Sequence, residues 1–236
     1  MTQEIAYDLR VLPAALMLQH FLPVEVVAAL NAYLDELRTH TNKQSAAHEL
    51  VGQIHQGEQL LMDHQDQQLQ TFVQIAESLG MAYLRHFVEQ TKSPLSSKKI
   101  DVDRLWSVHS FAGDYNPIHD HTTSTEMGIS FTCWTQVPTQ ITQTNDNDAV
   151  DLYNASGAID GYINFTYGLS QTRDPERLRP AQQVMLKPEV GKLLMFPSWM
   201  QHCVYPFCGE GERRTVAGNL NCHNLTPQEQ EELRNV

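Results

Sequence analysis

The sequence predicts a mainly β fold in which flanking helices pack on a β-barrel core. Helical periodicity is confined to the first hundred residues, and after a Ser-, Pro- and Lys-rich segment at 93–99 the chain changes to short β-rich runs separated by Gly, Pro and Asn. A chain of 236 residues is long enough to bury a single well-packed core. We therefore expect one domain over 1–236, with a helical part at 1–100, a β core at 101–222 and a short C-terminal helix or tail at 223–236.

Two segments of the N-terminal part carry the apolar pattern of amphipathic helices. The first runs from Pro23 to Arg38, with proline at its start and apolar residues at three- and four-residue steps. The second runs from Gln68 to Glu89, where a wide apolar stripe is suited to burial against a sheet. The stretch between them, 42–67, is polar and rich in Gln and His. We expect a loop with short ordered pieces there, which is a candidate lid by its length and otherwise a plain surface loop.

Seven β-rich runs follow, each bounded by turn-forming residues. Many short strands broken in this way are typical of a β-sandwich or barrel. The predicted strands are Leu105–Phe111, Met127–Thr135, Gly161–Thr166, Val184–Leu186, Leu193–Phe196, Cys203–Phe207 and Thr215–Leu220. After them, Thr226, Pro227 and Glu229 form a capping box with proline at the first helical position, which predicts a short terminal helix.

The charge balance is acidic, since 16 Lys and Arg against 28 Asp and Glu give a net charge of −12 with neutral histidine. A phosphate backbone is bound by clustered cations, so duplex nucleic acid is not an expected partner. The sequence has neither an apolar run of about 18 residues, as a membrane span needs, nor the features of a signal peptide. Its four cysteines show no CxxC spacing, so we expect reduced thiols in a cytoplasmic protein whose oligomeric state stays open.

The densest functional signal is the run GDYNPIHDH at 113–121. In a strand, residues two apart project from the same face, so His119 and His121 can reach one metal ion together. Neutral imidazole suits Fe, Zn, Cu and Ni. Taken alone, the pair is weak evidence in a chain with 11 histidines. Asp120 lies between them and becomes a carboxylate ligand in place of His121 only if the strand ends there.

A second run, GKLLMFPSWMQH at 191–202, is an apolar strand that ends in a Pro-Ser turn and leads to His202. Taken alone, His202 fits a half-buried structural histidine. Together with His119 and His121 it completes three donors on one face of a metal and leaves the other positions open, as in a catalytic site. The alternative is a core hairpin without a metal.

The third signal is Arg213-Arg214-Thr215, 11 residues beyond His202. In a strand, Arg213 and Thr215 share one face and Arg214 points the other way. An arginine fork with a hydroxyl two residues on is a good receptor for a carboxylate, through charge-assisted hydrogen bonds. Burial of that arginine inside a barrel requires an anionic partner, such as a cosubstrate that carries a carboxylate. For Arg214 we expect a solvated strand edge.

These motifs, GDYNPIHDH, GKLLMFPSWMQHCVYPF and ERRTVAGNLN, resemble the iron(II)/2-oxoglutarate-dependent oxygenases. They are most similar to an uncharacterised bacterial and phage type that carries His-x-His in place of the usual His-x-Asp. The resemblance covers about 103–222 and extends weakly into the N-terminal part. It implies a double-stranded β-helix (jelly-roll) core with flanking helices, and Fe(II), 2-oxoglutarate and O₂ as the cofactor set.

The resemblance also implies an activity and its residues. The activity is that of a dioxygenase that hydroxylates a small-molecule or peptide substrate, itself unidentified, while 2-oxoglutarate is converted to succinate and CO₂. The implied metal ligands are His119, His121 and His202. The implied cosubstrate-binding residues are Arg213 and Thr215. The sequence departs from the family pattern, because the position of the usual carboxylate ligand is occupied by His121. Either this third histidine replaces the carboxylate as a ligand, or Asp120 turns inward.

Two other hypotheses use the same barrel. The run from Gly113 to Glu126 fits most of the first cupin motif, and a cupin would take Glu126 as a fourth ligand and would not use 2-oxoglutarate. The 83-residue gap from His119 to His202 is long for a compact cupin, and the arginine strand would be unexplained. Zinc held by three histidines with a bound water is also chemically possible, but no separate general base can be identified.

Overall fold

The computed structural model describes residues 15–91, 98–125, 127–142, 159–168 and 182–224. The described strands are β1 (Leu18–Phe21), β2 (Glu58–Met62), β3 (Lys98–Ser110), β4 (Asn116–His119), β5 (Gly128–Gln136), β6 (Ile163–Thr166), β7 (Gln183–Leu186), β8 (Lys192–Pro197), β9 (Gln201–Val204) and β10 (Arg213–Asn224). The described helices are α1 (Val24–Thr39), α2 (Gln70–Thr91) and the short α3 (Thr139–Thr142), with a 3₁₀ turn at Gln67–Leu69. None of these helices is long and apolar enough to cross a membrane.

The strands form two antiparallel sheets that face each other. The larger sheet has the order β1-β8-β5-β10-β3-β2 and the smaller one β4-β9-β6-β7. Because side chains alternate along a strand, each sheet turns one set of them into the space between the sheets. Trp134 and Phe196 of the larger sheet pack there with Ile163 and Phe165 of the smaller one. The predicted mainly β fold, a double-stranded β-helix with N-terminal helices, is confirmed.

Helices α1 and α2 cover the outer face of the larger sheet. Leu30 of α1 and Phe72 of α2 belong to one apolar core with Leu105 of β3, and each large side chain of this kind contributes roughly 1.5–3 kcal/mol by leaving water. Gly80 allows α2 to approach the sheet closely, because a Cβ atom there would lie 2.8 Å from the side chain of Leu220. The wide apolar stripe of α2 is therefore buried against the sheet, as the sequence predicts.

Both predicted helices are confirmed, with their ends shifted by one or two residues. Six of the seven predicted strands lie where expected, although β3 already begins at Lys98 and β10 continues to Asn224. The prediction of Cys203–Phe207 is wrong beyond Val204, where β9 ends. Pro206 follows shortly after and has no N–H to donate to a sheet.

The sequence does not predict β1, β2 and β4, which are only four or five residues long. All three are edge strands, so each pairs with a single neighbour, and β4 contains Pro117. β1 and β2 add two strands to the part expected to be helical, and β2 is one of the ordered pieces of the 42–67 stretch. The predicted helix at Thr226 lies outside the described residues, and the division of the chain into parts stays a prediction.

Candidate metal centre

Three histidines meet between the two sheets. His119 ends β4 and His202 lies in β9, and the two residues are paired across these strands. His121 follows β4, where its backbone N–H donates to the carbonyl of Ser198 (2.9 Å) in the β8–β9 turn. One ring nitrogen from each histidine lies within 4.8 Å of the other two. The three imidazoles are therefore close enough to bind one metal ion.

Neighbouring groups orient the three rings. Nδ1 of His119 and Nδ1 of His202 each donate to the backbone carbonyl two residues earlier, at 2.7 and 3.0 Å. These hydrogen bonds leave Nε2 of both rings unprotonated and available to a metal. The ring of His121 stacks between two others, with its centroid 5.4 Å from that of Trp106 and 5.0 Å from that of His202.

Burial keeps all three imidazoles in the neutral form that binds a metal. It lowers the pKa of His119, lowers the pKa of His121 to about 3 and lowers the pKa of His202 well below its usual range. The neighbouring imidazoles add to the last two shifts, because a second positive charge at so short a distance is unfavourable.

The sequence also offers two alternative metal ligands, Asp120 and Glu126. Asp120 is exposed, and its carboxylate is not among the ligand atoms that come together. Strand β4 ends at His119, but the hydrogen bond to Ser198 holds the backbone of His121 so that the histidine ring, not the carboxylate, turns inward. Glu126 lies outside the described residues.

Arg213 reaches into the same interior space. Its side chain is 1% exposed, and its Nη1 donates to the carbonyls of Gly161 (3.0 Å) and Tyr205 (2.9 Å). Burial lowers the pKa of Arg213 to about 10, so the group is still charged at pH 7. Within the described ranges, no carboxylate forms an ion pair with this guanidinium, and the charge of Asp114 only partly offsets the lowering of its pKa by burial. A buried cation without an anion is costly, so the site is suited to receive one.

One cavity joins the three histidines to Arg213. Its walls come from both sheets and from the chain near Leu50, and most of them are apolar. Thr215 lies on the wall together with Arg213, as the alternation of side chains in a strand predicts. The other uncharged polar side chains on the described walls are Ser110, Asn116 and Thr132.

Arg214 does not lie at a solvated strand edge, and this prediction was wrong. β10 is a central strand, and Arg214 is 4% exposed. Its Nε and Nη2 donate to the Glu212 carboxylate at 2.8 and 3.1 Å, and Nη2 is also 2.9 Å from Asp35 of α1. Strand alternation correctly turns Arg214 away from the cavity, but it does not reveal that a helix covers the other face of the sheet.

A second groove, of about 300 Å³, reaches the histidines from outside. It borders His119 and His121 and shares Leu50 with the metal cavity, but it does not include Arg213. An ion pair between Glu49 and Arg104 lies on its wall. This groove is a second approach to His119 and His121.

Asp114, which no sequence motif indicates as a functional residue, fixes the segment that carries Leu50. Its carboxylate is 1% exposed and accepts four backbone hydrogen bonds at 2.8 to 3.2 Å. The donors are the N–H groups of His55, Gln56, Gly57 and Phe111. In the sequence, Asp114 directly follows the glycine of GDYNPIHDH. An aspartate at such a turn often accepts hydrogen bonds from nearby backbone N–H groups, so this position could have indicated its role. The lid function of 42–67 stays a prediction.

The family model described as "Putative 2OG-Fe(II) oxygenase" (2OG, 2-oxoglutarate) matches residues 104–219. This match places the β core of the chain, residues 104–219, among the 2OG-Fe(II) oxygenases. The matched region runs from β3 into β10, so it includes the three histidines and Arg213. The enzyme is a dioxygenase that depends on Fe(II), 2-oxoglutarate and O₂, as the resemblance of its motifs implies. No curated protein matches the sequence.

Several solved structures share the fold of this oxygenase. A prolyl-4-hydroxylase from Pseudomonas putida is 15% identical, with 87% of this chain and 91% of that chain covered. HygX from Streptomyces hygroscopicus, with nickel and 2-oxoglutarate bound, is 10% identical, with 88% and 83% covered. The carbocyclase SnoK from nogalamycin biosynthesis is 12% identical, with 94% and 86% covered. The TM-score is 0.54 in each case, and at these identities the likeness shows the fold alone.

Proposed function

We propose that His119, His121 and His202 hold the Fe(II), and that Arg213 with Thr215 binds the distal carboxylate of 2-oxoglutarate. The observation that carries this proposal is the buried guanidinium of Arg213, which has no carboxylate partner within the described ranges and shares a cavity with three neutral imidazoles. Three imidazoles are a donor set that Fe(II) accepts. A dicarboxylate that reaches from the metal to the guanidinium matches both ends of this cavity.

When bound, Fe(II) with 2-oxoglutarate and O₂ supplies the oxidising power to functionalise a C–H bond of the substrate, as 2-oxoglutarate becomes succinate and CO₂. The chain itself binds and orients. The planar guanidinium of Arg213 can donate two parallel N–H bonds to a carboxylate and so hold the end of the keto acid remote from the metal. Hydrogen bonds from Nδ1 to backbone carbonyls fix the ring orientations of His119 and His202. Apolar walls such as Phe131 and Phe196 exclude water.

His121 rather than Asp120 is the second ligand in this proposal. Its support is the stacked, inward position of the imidazole and the exposure of the carboxylate. Three neutral ligands leave both positive charges of Fe(II) uncompensated by the protein, whereas a carboxylate ligand would compensate one of them. We therefore expect iron to be held more firmly when the 2-oxoglutarate dianion is present.

The reaction we propose is hydroxylation of a small molecule or peptide that enters by the groove beside His119 and His121. Support comes from the position of this groove, which borders both histidines and does not include Arg213. The net charge of −12 disfavours duplex nucleic acid as a substrate. All four cysteines are free, which supports a cytoplasmic location.

The test is binding of 2-oxoglutarate to the Fe(II)-loaded protein without oxygen, measured by calorimetry, followed by measurement of succinate in air. Arg213→Ala is expected to weaken 2-oxoglutarate binding at least about 100-fold, because truncation of one partner of a buried charge pair costs about 3 kcal/mol or more. Its iron content should equal that of the unmodified protein.

The matched control is Arg85→Ala, which removes an exposed arginine of α2 and should leave 2-oxoglutarate binding unchanged. Uptake of iron with indifference to 2-oxoglutarate would support the cupin-type alternative and contradict the proposal. Arg213→Ala with undiminished binding would contradict the assignment of the arginine.

A further inference from the structure

The outer groove beside His119 and His121 adjoins a larger groove of about 560 Å³. The larger groove lies between the C-terminal part of α1, β2 and β3. Asp103 and Arg104 of β3 line both grooves, so the two meet at these residues. A ligand that begins at the proposed metal ligands can therefore continue past β3 towards α1.

A β-bulge in β3 lies at this junction. Arg104 pairs with Asn219 of β10 and Val102 pairs with Leu220, so Asp103 is the extra residue between them. Neighbouring side chains of a regular strand point to opposite faces, whereas a bulge re-aims them and bends the strand. The bulge therefore allows both Asp103 and Arg104 to border the same two grooves.

The edge of β3 is open at the junction. β2 pairs with β3 only as far as Leu105, which lies opposite Met62. Within the described ranges, Arg104 therefore has β10 alone as a neighbouring strand, and no backbone hydrogen bond from another segment reaches Asp103 or Arg104. Backbone groups at such an edge can pair with an added extended segment, so the junction is suited to a polypeptide.

The walls of the two grooves are acidic. Their described residues include six carboxylates but only one lysine and one arginine. Both cations already have acidic partners, since Lys43 lies 2.6 Å from Glu58 and Arg104 forms an ion pair with Glu49. Four of the carboxylates form no ion pair within the described ranges, and they are those of Asp63, Asp66, Asp103 and Asp120. The grooves thus complement a ligand with several positive charges.

Asp103 is held in place between the two grooves. Its carboxylate accepts hydrogen bonds from the hydroxyl and the N–H of Ser124, at 2.7 and 3.2 Å, and from Nδ2 of Asn221, at 3.0 Å. Burial alone would raise the pKa of Asp103, but these hydrogen bonds lower it, so the group is charged at neutral pH. A fixed carboxylate without an ion-pair partner is suited to bind an amine or guanidinium from solvent.

We infer that the substrate is an extended polypeptide segment rich in lysine or arginine, which runs from His119 and His121 past Asp103 into the larger groove. This inference rests on the proposed function and selects a peptide over the small molecule that this function leaves open. Cationic side chains of the segment pair with the carboxylates that form no ion pair, and its backbone meets the open edge of β3. An acidic segment is repelled by the same walls.

The experiment measures peptide binding by calorimetry, without oxygen, to the protein loaded with Fe(II) and 2-oxoglutarate. The probe is a ten-residue peptide of alternating Lys and Ala, and the control peptide has Glu in place of Lys. The Lys peptide is expected to bind at least about 10-fold more tightly than the Glu peptide, by an advantage that falls as salt is added. Spermidine, a short organic cation, should bind at least about 10-fold more weakly than the Lys peptide, because it reaches fewer carboxylates and has no peptide backbone.

Asp103→Asn and Asp63→Asn test the junction and the larger groove separately. Asparagine removes the charge but keeps a side-chain oxygen that accepts hydrogen bonds. Each variant is expected to weaken the Lys peptide about threefold or more, while its affinity for 2-oxoglutarate, measured first, shows that it is folded. The matched control is Glu25→Gln, which removes an exposed carboxylate of α1 that lines neither groove and should leave peptide binding unchanged.

Equal affinities for the Lys and Glu peptides overturn the inference while the proposed function stands. Spermidine that binds as tightly as the Lys peptide overturns the assignment to a polypeptide. An effect of Asp103→Asn without one of Asp63→Asn contradicts the path into the larger groove. Failure of the unmodified protein to bind 2-oxoglutarate overturns the proposed function and this inference with it.

Discussion

The proposed second metal ligand, His121, depends on a hydrogen bond of its own backbone N–H. β4 ends at His119, so strand alternation no longer determines where the following side chains point. The hydrogen bond to Ser198 and the stacking on Trp106 hold the imidazole inside, and Asp120 is left exposed. These two contacts turn the histidine, and not the carboxylate, towards the other two imidazoles.

His121→Ala is expected to lower the affinity for Fe(II) at least about 10-fold, because one of the three proposed ligands is lost and even residues behind metal ligands affect affinity on this scale. Asp120→Ala should change it by less than about threefold, since its carboxylate is exposed. Metal analysis after dialysis, together with titration by Fe(II) without oxygen, measures both. Loss of iron from Asp120→Ala with retention by His121→Ala would refute the ligand assignment.

Strand β10 has a buried arginine on each of its two faces, and the two arginines have different partners. Arg213 faces the cavity, whereas Arg214 faces α1 and donates to Glu212. The Glu212 carboxylate also lies 2.6 Å from Nδ1 of His109 and 3.4 Å from Arg38 of α1. This buried network connects α1 to the start of β10, directly beside the residue proposed to bind the cosubstrate.

Glu212→Gln tests this network through its pH dependence. Burial alone would raise the pKa of Glu212, but hydrogen bonds from His109 and Arg214 and their charges lower it from 4.5 to about 2. A lowered carboxyl pKa stabilises the fold above the unfolded value and loses that contribution as the pH falls from about 4.5 towards 2. We expect Glu212→Gln to lower the free energy of unfolding by about 3 kcal/mol at pH 7.

Urea unfolding of both proteins between pH 7 and pH 3 is the measurement, and the difference between them should narrow below about pH 4.5. Glu36→Gln is the control, because Glu36 is an exposed residue of α1 and its loss should cost less than about 0.5 kcal/mol at every pH. A difference that is constant down to pH 3 would show that the charge of Glu212 is not what stabilises the network.

For the whole molecule, Asp114 connects the N-terminal segment to the β core. Its four backbone hydrogen bonds hold 55–57 and the end of β3 together, and a further backbone pair joins Gln53 to Tyr115. The chain between these contacts and the paired Ser45 includes Leu50, which borders both the metal cavity and the outer groove. The wall between the metal cavity and the outer groove therefore depends on one buried carboxylate.

Asp114→Ala is expected to release this segment, because four N–H groups lose their common acceptor. Hydrogen exchange of the amides at 55–57 should become at least about 10-fold faster, and the free energy of unfolding should fall by roughly 2–4 kcal/mol. Asp120→Ala serves as the control, since it removes an exposed carboxylate from the same sequence run. Unchanged exchange at 55–57 in Asp114→Ala would contradict this role.

Local patterns in the sequence predict much of the fold. The periodicity of α1 and α2 and the alternation in β5, β8 and β10 are properties of neighbouring residues, and they place these elements within a few positions. β1 and β4 escape prediction because they have no buried residue, whereas the equally short β6 has three, and β2 lies within the polar 42–67 stretch. The solvated position expected for Arg214 fails for another reason, since it is covered by α1, whose Asn31 is 183 residues away in the chain.

By itself, the sequence determined most of the helices and strands and the residue types of the site. It also determined that Arg213 and Thr215 lie on the same face of a strand. Spacing along a single strand or helix is sufficient for these predictions. Only the tertiary structure decided that His202 meets His119 and His121, and that Arg213 shares their cavity. Such contacts depend on how the two sheets close over each other. That closure is set by packing between distant parts of the chain, which no local spacing records.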